Sequence, residues 1–462
     1  MKRIGTPWMV AGLLTLSFSA PPSRSFSNED LVKIRAFWSE PGRYSEHGAD
    51  GVLVNGPWQP RETPRASQWF WDYNKARKSA DLVTSTLWEN WAKARLIADR
   101  WDAWNTCRQR NRDLFFVDGP AMEPDLPELS PSDPGPAPED LLSQVGEPPI
   151  FSEPVQPRIH DIRFDDVSFS YGDHIKFASP RYSYYRFDHG VRSEGASLKS
   201  LPGTELGKLC RSAGISESEG RIMFAVSSLE GGFDAINTYD TGYVSVGFIQ
   251  FASLSKGANS LGALLADYKQ EDPKGFTEDF HRYGIDVDEH SAMVALDINS
   301  GDEKVGSNAA QQIIEDKRLI AVFQRAGQVS DGFRVAQLRC AKSMYYPGSE
   351  SVTVDLADGP VRVATSKLFC SEAGMATLMD RKVNTGHIEG LDTAVAKVCA
   401  RVVPKKVEDL IPYEKEMVVA LKYRKDYLSD PTLTQPAELG VRGGKGLMSR
   451  SGTRKGRKKK GQ

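Results

Sequence analysis

Cysteine is scarce in this chain, and its scarcity narrows the possible classes of protein. Five cysteines are scattered over 462 residues, which is too few and too dispersed for a fold built on disulfides. An oxidising compartment allows one or two bridges, and we predict one between Cys370 and Cys399. No Cys or His spacing resembles a zinc site, and the seven histidines stand singly. The sequence therefore predicts neither a metal ion nor a cofactor.

Long apolar runs are lacking beyond the N-terminus. Two basic residues precede an apolar run at 8–18, and small residues then permit cleavage after Ser25 or Ser27. This pattern predicts a signal peptide over 1–27, which is too short for a permanent membrane span. We expect a secreted or periplasmic protein associated with the cell envelope.

Tryptophan is absent after Trp104, and this asymmetry predicts separate modules. Eight of the nine tryptophans fall within residues 28–117, and Trp88, Trp91 and Trp101 lie along one face of a predicted helix. We predict a small all-helical, Trp-rich module over 28–117. A stripe at helical spacing is typical of a helical core, and the alternative is that these rings stack on sugars.

Basic residues are missing from 119–157, which holds 11 of the 27 prolines. Proline extends the chain and acidic repulsion keeps it open, so we predict a semi-rigid linker over 118–157. Acidic residues are missing from 442–462, which carries nine Lys and Arg. We predict a disordered basic tail over 432–462 that binds an anionic envelope polymer, and export argues against nucleic acid as its partner.

The remaining residues, 158–431, mix strand and helix patterns. Short strands are predicted at 162–171 and 175–187, and a Gly-punctuated pair at 352–363. Helices are predicted at 309–326, 332–346, 366–382, 391–402 and 407–427. This pattern predicts an α+β domain, mainly helical with a small β-hairpin.

Two acidic residues of this domain stand in unlike surroundings. Residues 216–219 fit a capping box, so a helix begins there and ends near Glu230, where a Gly pair turns the chain. Glu230 is then half-buried beside a cleft, which raises its pKa and lets it deliver a proton to a glycosidic oxygen. Asp240 lies in a polar hairpin and stays ionised. Such a pair suits acid/base cleavage of a sugar bond.

Residues 240–247, read together with Glu230, resemble the catalytic hairpin of the lysozyme superfamily. The layout is closest to phage-type lysozymes, in which a helix-end Glu is followed by an Asp and then by a Ser or Thr that positions water. Residues 247–250 are similar to the Gly-x-x-Gln segment of lytic transglycosylases and to the hairpin of chitosanases. The resemblance covers some 21 of 462 residues. It implies a lysozyme-like fold with Glu230 as general acid, Asp240 as the opposite carboxylate and Ser245 as the water-holding hydroxyl.

Further polar residues are candidates for substrate binding. One of them follows Glu230 closely and supplies a third carboxylate, which leaves the identity of the second catalytic residue open. Others lie in the hairpin, and two lie near the end of a late helix, which lines the cleft in similar lytic domains. For each, the alternative is an ordinary hairpin or helix-end position. The candidates are Asp234, Asn237, Tyr239, Gln250, Asp380 and Asn384.

These features predict a secreted peptidoglycan hydrolase that cleaves β-1,4 bonds between amino sugars. If Asp240 holds a water, the outcome is hydrolysis with inversion, which needs carboxyl groups about 6.5–9.5 Å apart. If Asp240 is a turn residue only, Glu230 acts alone and the product is an anhydro-sugar. Two alternatives stay open: a chitosanase-like enzyme, favoured by the acidic charge of the chain outside its tail, and a non-catalytic envelope-binding protein with a lysozyme-like fold.

Overall fold

The computed structural model of the protein describes residues 24–47, 58–113, 127, 130–156, 158–172, 187 and 190–437. Within these residues, helices and short antiparallel strands alternate along the chain, so the predicted α+β class is confirmed. The helices are α1 Asn28–Ser39, α2 Pro64–Ser79, α3 Leu82–Asp113, α4 Glu139–Val145, α5 Gly203–Ser212, α6 Glu217–Ser227, α7 Asn259–Glu271, α8 Pro273–Asp279, α9 Ser307–Glu315, α10 Lys317–Val329, α11 Asp331–Tyr345, α12 Glu372–Thr385, α13 Leu391–Val402 and α14 Glu414–Leu421. The strands are β1 Tyr44–His47, β2 Gln59–Glu62, β3 Ser152–Val155, β4 Ile159–Arg163, β5 Ser168–Gly172, β6 Arg192–Ser193, β7 Ile236–Asn237, β8 Ser245–Val246, β9 Phe251–Ala252, β10 Ile285–Val287, β11 Met293–Leu296, β12 Glu303–Val305, β13 Ser351–Leu356 and β14 Gly359–Ala364.

The helices predicted from apolar periodicity are present, with differences at their ends. α13 has the predicted bounds, and α11 begins and ends one residue before its prediction. The helix predicted at 309–326 is divided into α9 and α10, because Asp316 caps α10 by accepting a hydrogen bond from the Arg318 N–H. The helix predicted at 407–427 is also divided, since Pro412 lies in a 3₁₀ segment that precedes α14.

The described strands form small antiparallel sheets around the helices. The sheet that carries the predicted catalytic hairpin has the order β6-β7-β8-β9, and a second sheet has the order β10-β11-β12. β13–β14 form near 352–363, where a pair of strands is predicted. The strand predicted at 162–171 is divided by a turn into the antiparallel pair β4–β5. The strand predicted at 175–187 falls almost wholly outside the described residues.

A large apolar core joins the N-terminal helix to the second half of the chain. Ile34 and Trp38 of α1 are buried in it, and the Trp38 indole N–H donates to the Tyr283 carbonyl at 3.1 Å. β1 pairs with β4 on the same body, and Leu433 is buried in its core. The structure therefore differs from the predicted boundaries at both ends: α1 and β1 belong to the large body, and this body continues past residue 431.

A smaller core lies between α2, α3 and α4. Trp69, Trp88 and Trp91 are buried in it, so these rings fill a core, as helical spacing predicted. Leu141 and Phe151, from the predicted linker, are fully buried in the same core, and β3 pairs with β2 beside it. The Trp-rich module is thus not all-helical, and the second half of the predicted linker is part of it. The proline-rich composition predicted a linker, but the buried side chains of Leu141 and Phe151 anchor this stretch in the module.

The five cysteines are all free thiols. Cys399 is buried within α13, whereas Cys370 is exposed just before α12. The predicted bridge between them is therefore wrong. Two cysteines that lie near each other in the sequence need not have their Cβ atoms close enough in space for a disulfide bond.

Two predicted segments lie outside the described residues. They are residues 1–23 of the signal peptide and the basic stretch 442–462. Within the part of the chain that the structure describes, no helix combines the length and the apolar character needed to cross a membrane.

Phe26 anchors the N-terminal segment on the large core. Its ring is fully buried and stacks on His281, with centroids 4.7 Å apart. The N–H groups of Ser25 and Phe26 donate to the Glu303 carboxylate at 3.1 and 2.9 Å. Ser27 then begins α1 through a capping box. Cleavage after Ser27, as predicted for a signal peptide, would take Phe26 out of this core.

We expect Phe26→Ala to lower the free energy of unfolding by about 3–5 kcal/mol, because a buried aromatic ring is lost and a cavity remains. Urea unfolding followed by circular dichroism measures this change. Val32→Ala, on the exposed side of α1, is the control and should change stability by less than about 0.5 kcal/mol. An unchanged midpoint for Phe26→Ala would show that the segment contributes little and that cleavage after Ser27 is compatible with the fold.

Candidate active site

Glu230 lies in the turn that follows α6. The helix begins at the predicted capping box, in which Ser216 and Glu219 each accept a hydrogen bond from the other's main-chain N–H. It ends at Ser227, whose carbonyl accepts from the N–H groups of Glu230 and Gly231 at 2.9 and 3.0 Å. Gly231 has a φ of 125°, a conformation that side chains rarely adopt. The predicted helix end is confirmed, with Glu230 in the turn three residues beyond it.

The carboxyl of Glu230 is withdrawn from water. Its side chain is only 13% exposed, and its Oε1 lies 2.6 Å from Nη2 of Arg424. Burial raises the pKa of Glu230, Arg424 opposes this, and the charges of Asp380 and Asp240 reinforce it, so that the pKa stands above its ordinary value. The raised pKa predicted from the sequence is confirmed. Glu230 keeps its proton to a higher pH than an exposed glutamic acid does.

Arg424 connects Glu230 to Asp380. Its Nε and Nη2 lie 2.9 and 2.5 Å from Oδ1 of Asp380, and its main-chain N–H donates to Oδ2 at 3.3 Å. Asp380 is buried, and Asn384 donates to its carbonyl at 2.9 Å. The sequence predicted both residues as substrate contacts. In the structure Asp380 binds Arg424, and Asn384 donates to the main chain of Asp380, so both side chains take part in hydrogen bonds within the protein.

Asp240 lies in the turn between β7 and β8. Its Oδ2 accepts a hydrogen bond from the Asn237 side-chain amide at 2.8 Å, and its Oδ1 accepts from the Gly242 N–H at 2.8 Å. Two donors thus hold the Asp240 carboxyl group, and one of them is the side chain of Asn237, a predicted substrate contact. Ser245 is buried at the start of β8, where it pairs with Asn237 and with Ala252 of β9.

Asp240 and Ser245 lie close to each other beside Gly242. A Cβ on Gly242 would stand 2.5 Å from the Ser245 Oγ and 3.0 Å from Oδ1 of Asp240. Both oxygen atoms are thus packed against Gly242, and a side chain at this position would displace them. The carboxylate and hydroxyl that the sequence paired as holders of a water are neighbours in the fold.

The other predicted candidates are engaged within the protein. Asp234 is buried, and its Oδ1 accepts a hydrogen bond from the Ala196 N–H at 2.8 Å. Tyr239 is buried as well. Gln250 has a positive φ of 54° and donates from its side chain to the Gly247 carbonyl at 3.1 Å. Asp234 thus holds the neighbouring loop through its hydrogen bond with Ala196.

A cavity of about 620 Å³ opens beside Glu230, between α5, α6 and the segment after α14. Leu198, Leu206 and Phe224 form an apolar wall. Of the predicted site residues, Glu230 alone lines this cavity. The wall also includes charged side chains, and each of its cations has a carboxylate partner. These ion pairs are Arg192–Glu194 at 2.9 Å, Arg221–Glu372 at 2.6 Å and Lys425–Asp430 at 3.4 Å.

Sequence reasoning missed Arg424 and Lys425. Arg424 lies 194 positions after Glu230, in an irregular segment between α14 and a short 3₁₀ turn. Lys425 contacts the end of α6, with its Nζ 3.2 Å from the Ser228 Oγ. Both residues fall within the helix predicted at 407–427, and its periodicity gives no sign of a contact with Glu230.

Comparisons with known proteins found no match for this chain. No protein-family model matches the chain, and no curated protein or solved structure matches it either. Within the described residues, no group of three or more His, Cys, Asp or Glu side chains is placed to hold a metal ion. What the site offers is a protonatable carboxyl, a second carboxylate with a hydroxyl beside it, and a guanidinium that spans two acids.

Proposed function

We propose that this protein is a glycoside hydrolase of lysozyme-like fold that cleaves β-1,4 bonds of an amino-sugar polymer, with peptidoglycan as its substrate. The observation that carries the proposal is the Glu230 carboxyl, which is withdrawn from water, has a raised pKa and borders a cavity of about 620 Å³. A general acid must hold its proton near the working pH, and burial is the usual means of achieving this. The cavity volume lies within the range of small-molecule sites.

Arg424 holds the acid in place and stabilises its conjugate base. As the glycosidic bond breaks, the Glu230 proton passes to the leaving-group oxygen and a carboxylate is left in a poorly solvated site. The Arg424 guanidinium already lies 2.6 Å from that carboxyl group, so the new charge is stabilised without rearrangement. The Asp380 carboxylate shares the guanidinium, which limits the extent to which Arg424 lowers the pKa of the resting acid.

Asp240 and Ser245 supply the attacking water. In this mechanism the nucleophile is a water bound by Oδ1 of Asp240 and the Ser245 Oγ, which both lie beside Gly242. The oxygen of this water attacks the anomeric carbon while Asp240 accepts one of the water's protons. The second proton stays on the new hydroxyl group. The product is a reducing end of inverted configuration.

The charge of the cavity gives chitosan no advantage over peptidoglycan. When Glu230 is protonated, as catalysis requires, the three cations Arg192, Arg221 and Lys425 are balanced by the carboxylates Glu194, Glu372 and Asp430. A polyamine such as chitosan is attracted by a cleft with an excess of negative charge, and this wall does not supply one. The apolar wall suits the acetyl groups of the peptidoglycan sugars.

Digestion of purified peptidoglycan and of chitosan, followed by mass spectrometry of the products, tests the proposal. We expect fragments with reducing ends from peptidoglycan and slower turnover of chitosan. A 1,6-anhydro end would remove Asp240 and Ser245 from the mechanism and assign both steps to Glu230. Faster cleavage of chitosan would change the substrate, and cleavage of neither polymer would favour the non-catalytic envelope-binding alternative.

We expect Gly242→Ala to lower kcat by about 10²-fold with little change in KM, because the added Cβ would stand 2.5 Å from the Ser245 Oγ and 3.0 Å from Oδ1 of Asp240 and would displace the two groups that bind the water. Initial rates on peptidoglycan measure the effect, and thermal denaturation checks that the variant is folded. Gly203→Ala is the matched control, since a Cβ at Gly203 meets no atom within 4 Å. A folded Gly242→Ala variant with the wild-type kcat would contradict the assigned position of the water.

A further inference from the structure

The Glu303 carboxylate contacts one peptide bond close to the N-terminus. Glu303 is the half-buried first residue of β12, and its Oε1 and Oε2 accept hydrogen bonds from the main-chain N–H groups of Phe26 and Ser25 at 2.9 and 3.1 Å. The Phe26 N–H belongs to the peptide bond that joins Ser25 to Phe26. Since β12 pairs with β11, the sheet holds Glu303 and the N-terminal segment lies against it.

The charge of Glu303 is not paired with a cation. Among the residues that the structure describes, no Lys, Arg or His side chain forms an ion pair with Glu303, and both of its donors are neutral amide N–H groups. The neighbouring Lys304 lies 3.6 Å from Asp302 instead. A half-buried carboxylate is better stabilised by a cation than by a neutral donor, because attraction between opposite charges adds to the hydrogen bond. Glu303 therefore offers a site for a positive charge at the position of the Phe26 nitrogen.

The two sides of this peptide bond contribute unequally to the fold. Ser25 is partly exposed and lines an open groove. Phe26 is fully buried in the large core, and Ser27 caps α1 by accepting a hydrogen bond from the Asp30 N–H. The packed structure of the large body thus begins at Phe26, and Ser25 lies at its edge.

We propose that the bond between Ser25 and Phe26 is a proteolytic processing site, and that Glu303 binds the new N-terminal ammonium group of Phe26. An endopeptidase that accepts small residues before the cut, as those that remove signal peptides do, finds Ser23 and Ser25 there. The oxygen of a water molecule joins the carbonyl carbon of Ser25, the C–N bond breaks, and the Phe26 nitrogen leaves as an amine that takes up a proton. A positive charge then stands where Glu303 accepts the amide N–H at 2.9 Å. Because Phe26 is buried in the folded protein, the cut precedes folding.

The same geometry argues against cleavage after Ser27, which the sequence also allows. A chain that begins at Asn28 lacks the Phe26 ring, which leaves a cavity in the large core, and it lacks the residue that caps α1. Such a chain also leaves Glu303 without either of its donors. Cleavage after Ser25 removes one donor and gives the other a charge.

The N-terminus of the mature protein tests the processing site. The full-length chain is produced in a bacterial host that exports it, and the purified protein is analysed by intact mass and by N-terminal sequencing. We expect a chain that begins with Phe26. A chain that begins at Asn28 or at any other residue, or one that keeps residues 1–25, would overturn the proposal. These measurements do not use glycan cleavage, so their outcome is independent of the proposed function.

Removal of the Glu303 charge tests the ammonium site. Glu303→Gln is introduced into two chains: residues 26–462, in which Phe26 carries a free amine, and residues 24–462, in which the Phe26 nitrogen is an amide. Thermal denaturation measures the Tm of each. We expect Glu303→Gln to lower the Tm of the shorter chain by about 2 °C or more beyond its effect in the longer chain, because only the shorter chain loses an ion pair.

Glu289→Gln is the matched control for this comparison. Glu289 is an exposed carboxylate that lines the same groove as Ser25, and its substitution should change the Tm of both chains equally. Equal losses of Tm for Glu303→Gln in the two chains would overturn the assignment of Glu303 as the partner of the ammonium group.

Discussion

Glu230→Gln is expected to lower the turnover of peptidoglycan by about 10²–10⁴-fold with little change in KM. Glutamine keeps the shape of the side chain and its carbonyl oxygen can still accept from Arg424, but it has no proton to give to a glycosidic oxygen. Steady-state rates on purified peptidoglycan measure the loss. Glu217→Gln, on the exposed first turn of α6, is the control and should retain the wild-type rate. A Glu230→Gln enzyme of undiminished rate would remove Glu230 from the role of acid.

The same substitution should stabilise the protein at neutral pH. Because the pKa of Glu230 is raised in the folded protein, its contribution to stability is fully present below its ordinary value of 4.5 and is lost as pH rises through the folded value. Glutamine cannot ionise and escapes this loss. We expect the Tm of Glu230→Gln to exceed that of the wild type at pH 7 and the difference to shrink in acid. A lower Tm at pH 7 would mean that the pairing with Arg424 outweighs the cost of burial.

Asp380→Asn and Arg424→Gln should shift the alkaline limb of the pH–rate profile in opposite directions. The charge of Asp380 raises the pKa of Glu230, so its removal lets the acid ionise at lower pH and activity disappears earlier. Arg424 lowers the pKa of Glu230, so its removal extends activity to higher pH. Both variants should have a reduced kcat, because the carboxyl group is less firmly held. Profiles of kcat against pH on soluble glycan fragments measure the shifts.

A control and a stability measurement sharpen this test. Asp426→Asn changes a carboxylate two residues from Arg424 that pairs at the surface with Lys422, and it should leave the alkaline limb in place. Asp380→Asn should also cost about 3–5 kcal/mol of unfolding free energy, since it breaks a buried ion pair. Shifts of the same sign in Asp380→Asn and Arg424→Gln would show that the two residues do not act on Glu230 through their charges.

Features set by neighbours in the chain were predictable from the sequence. The capping box at 216–219, the turn at Gly231 and the bounds of α13 each depend on residues within a few positions of one another. The pairing of Asp240 with Ser245 is equally local, since five positions and one glycine separate them in a single hairpin. Local spacing dictates hydrogen bonding of this kind, and motif reading detects it.

Features set by tertiary packing were not predictable. Arg424 reaches Glu230 because two distant segments meet, and no periodic pattern identifies a partner 194 residues away. Leu141 and Phe151 lie in a proline-rich stretch whose average composition concealed two buried anchors. In the sequence, Asp380 has the character of an exposed residue near a helix end, and only the fold shows that Arg424 pairs with it. In each case the decisive contact is between residues whose sequence neighbourhoods are unremarkable.

The link between Glu230 and Arg424 has a consequence for biosynthesis. A growing chain acquires the turn after α6 well before the ribosome reaches codon 424, so the acid emerges without its guanidinium. Only docking of the C-terminal segment against α12 brings Arg424 onto both carboxylates. Chains released early, or nicked after Leu421, would carry the whole hairpin yet lack the tuned proton donor. Under the proposed function, the chain therefore gains its tuned proton donor only when its last folded segment is in place.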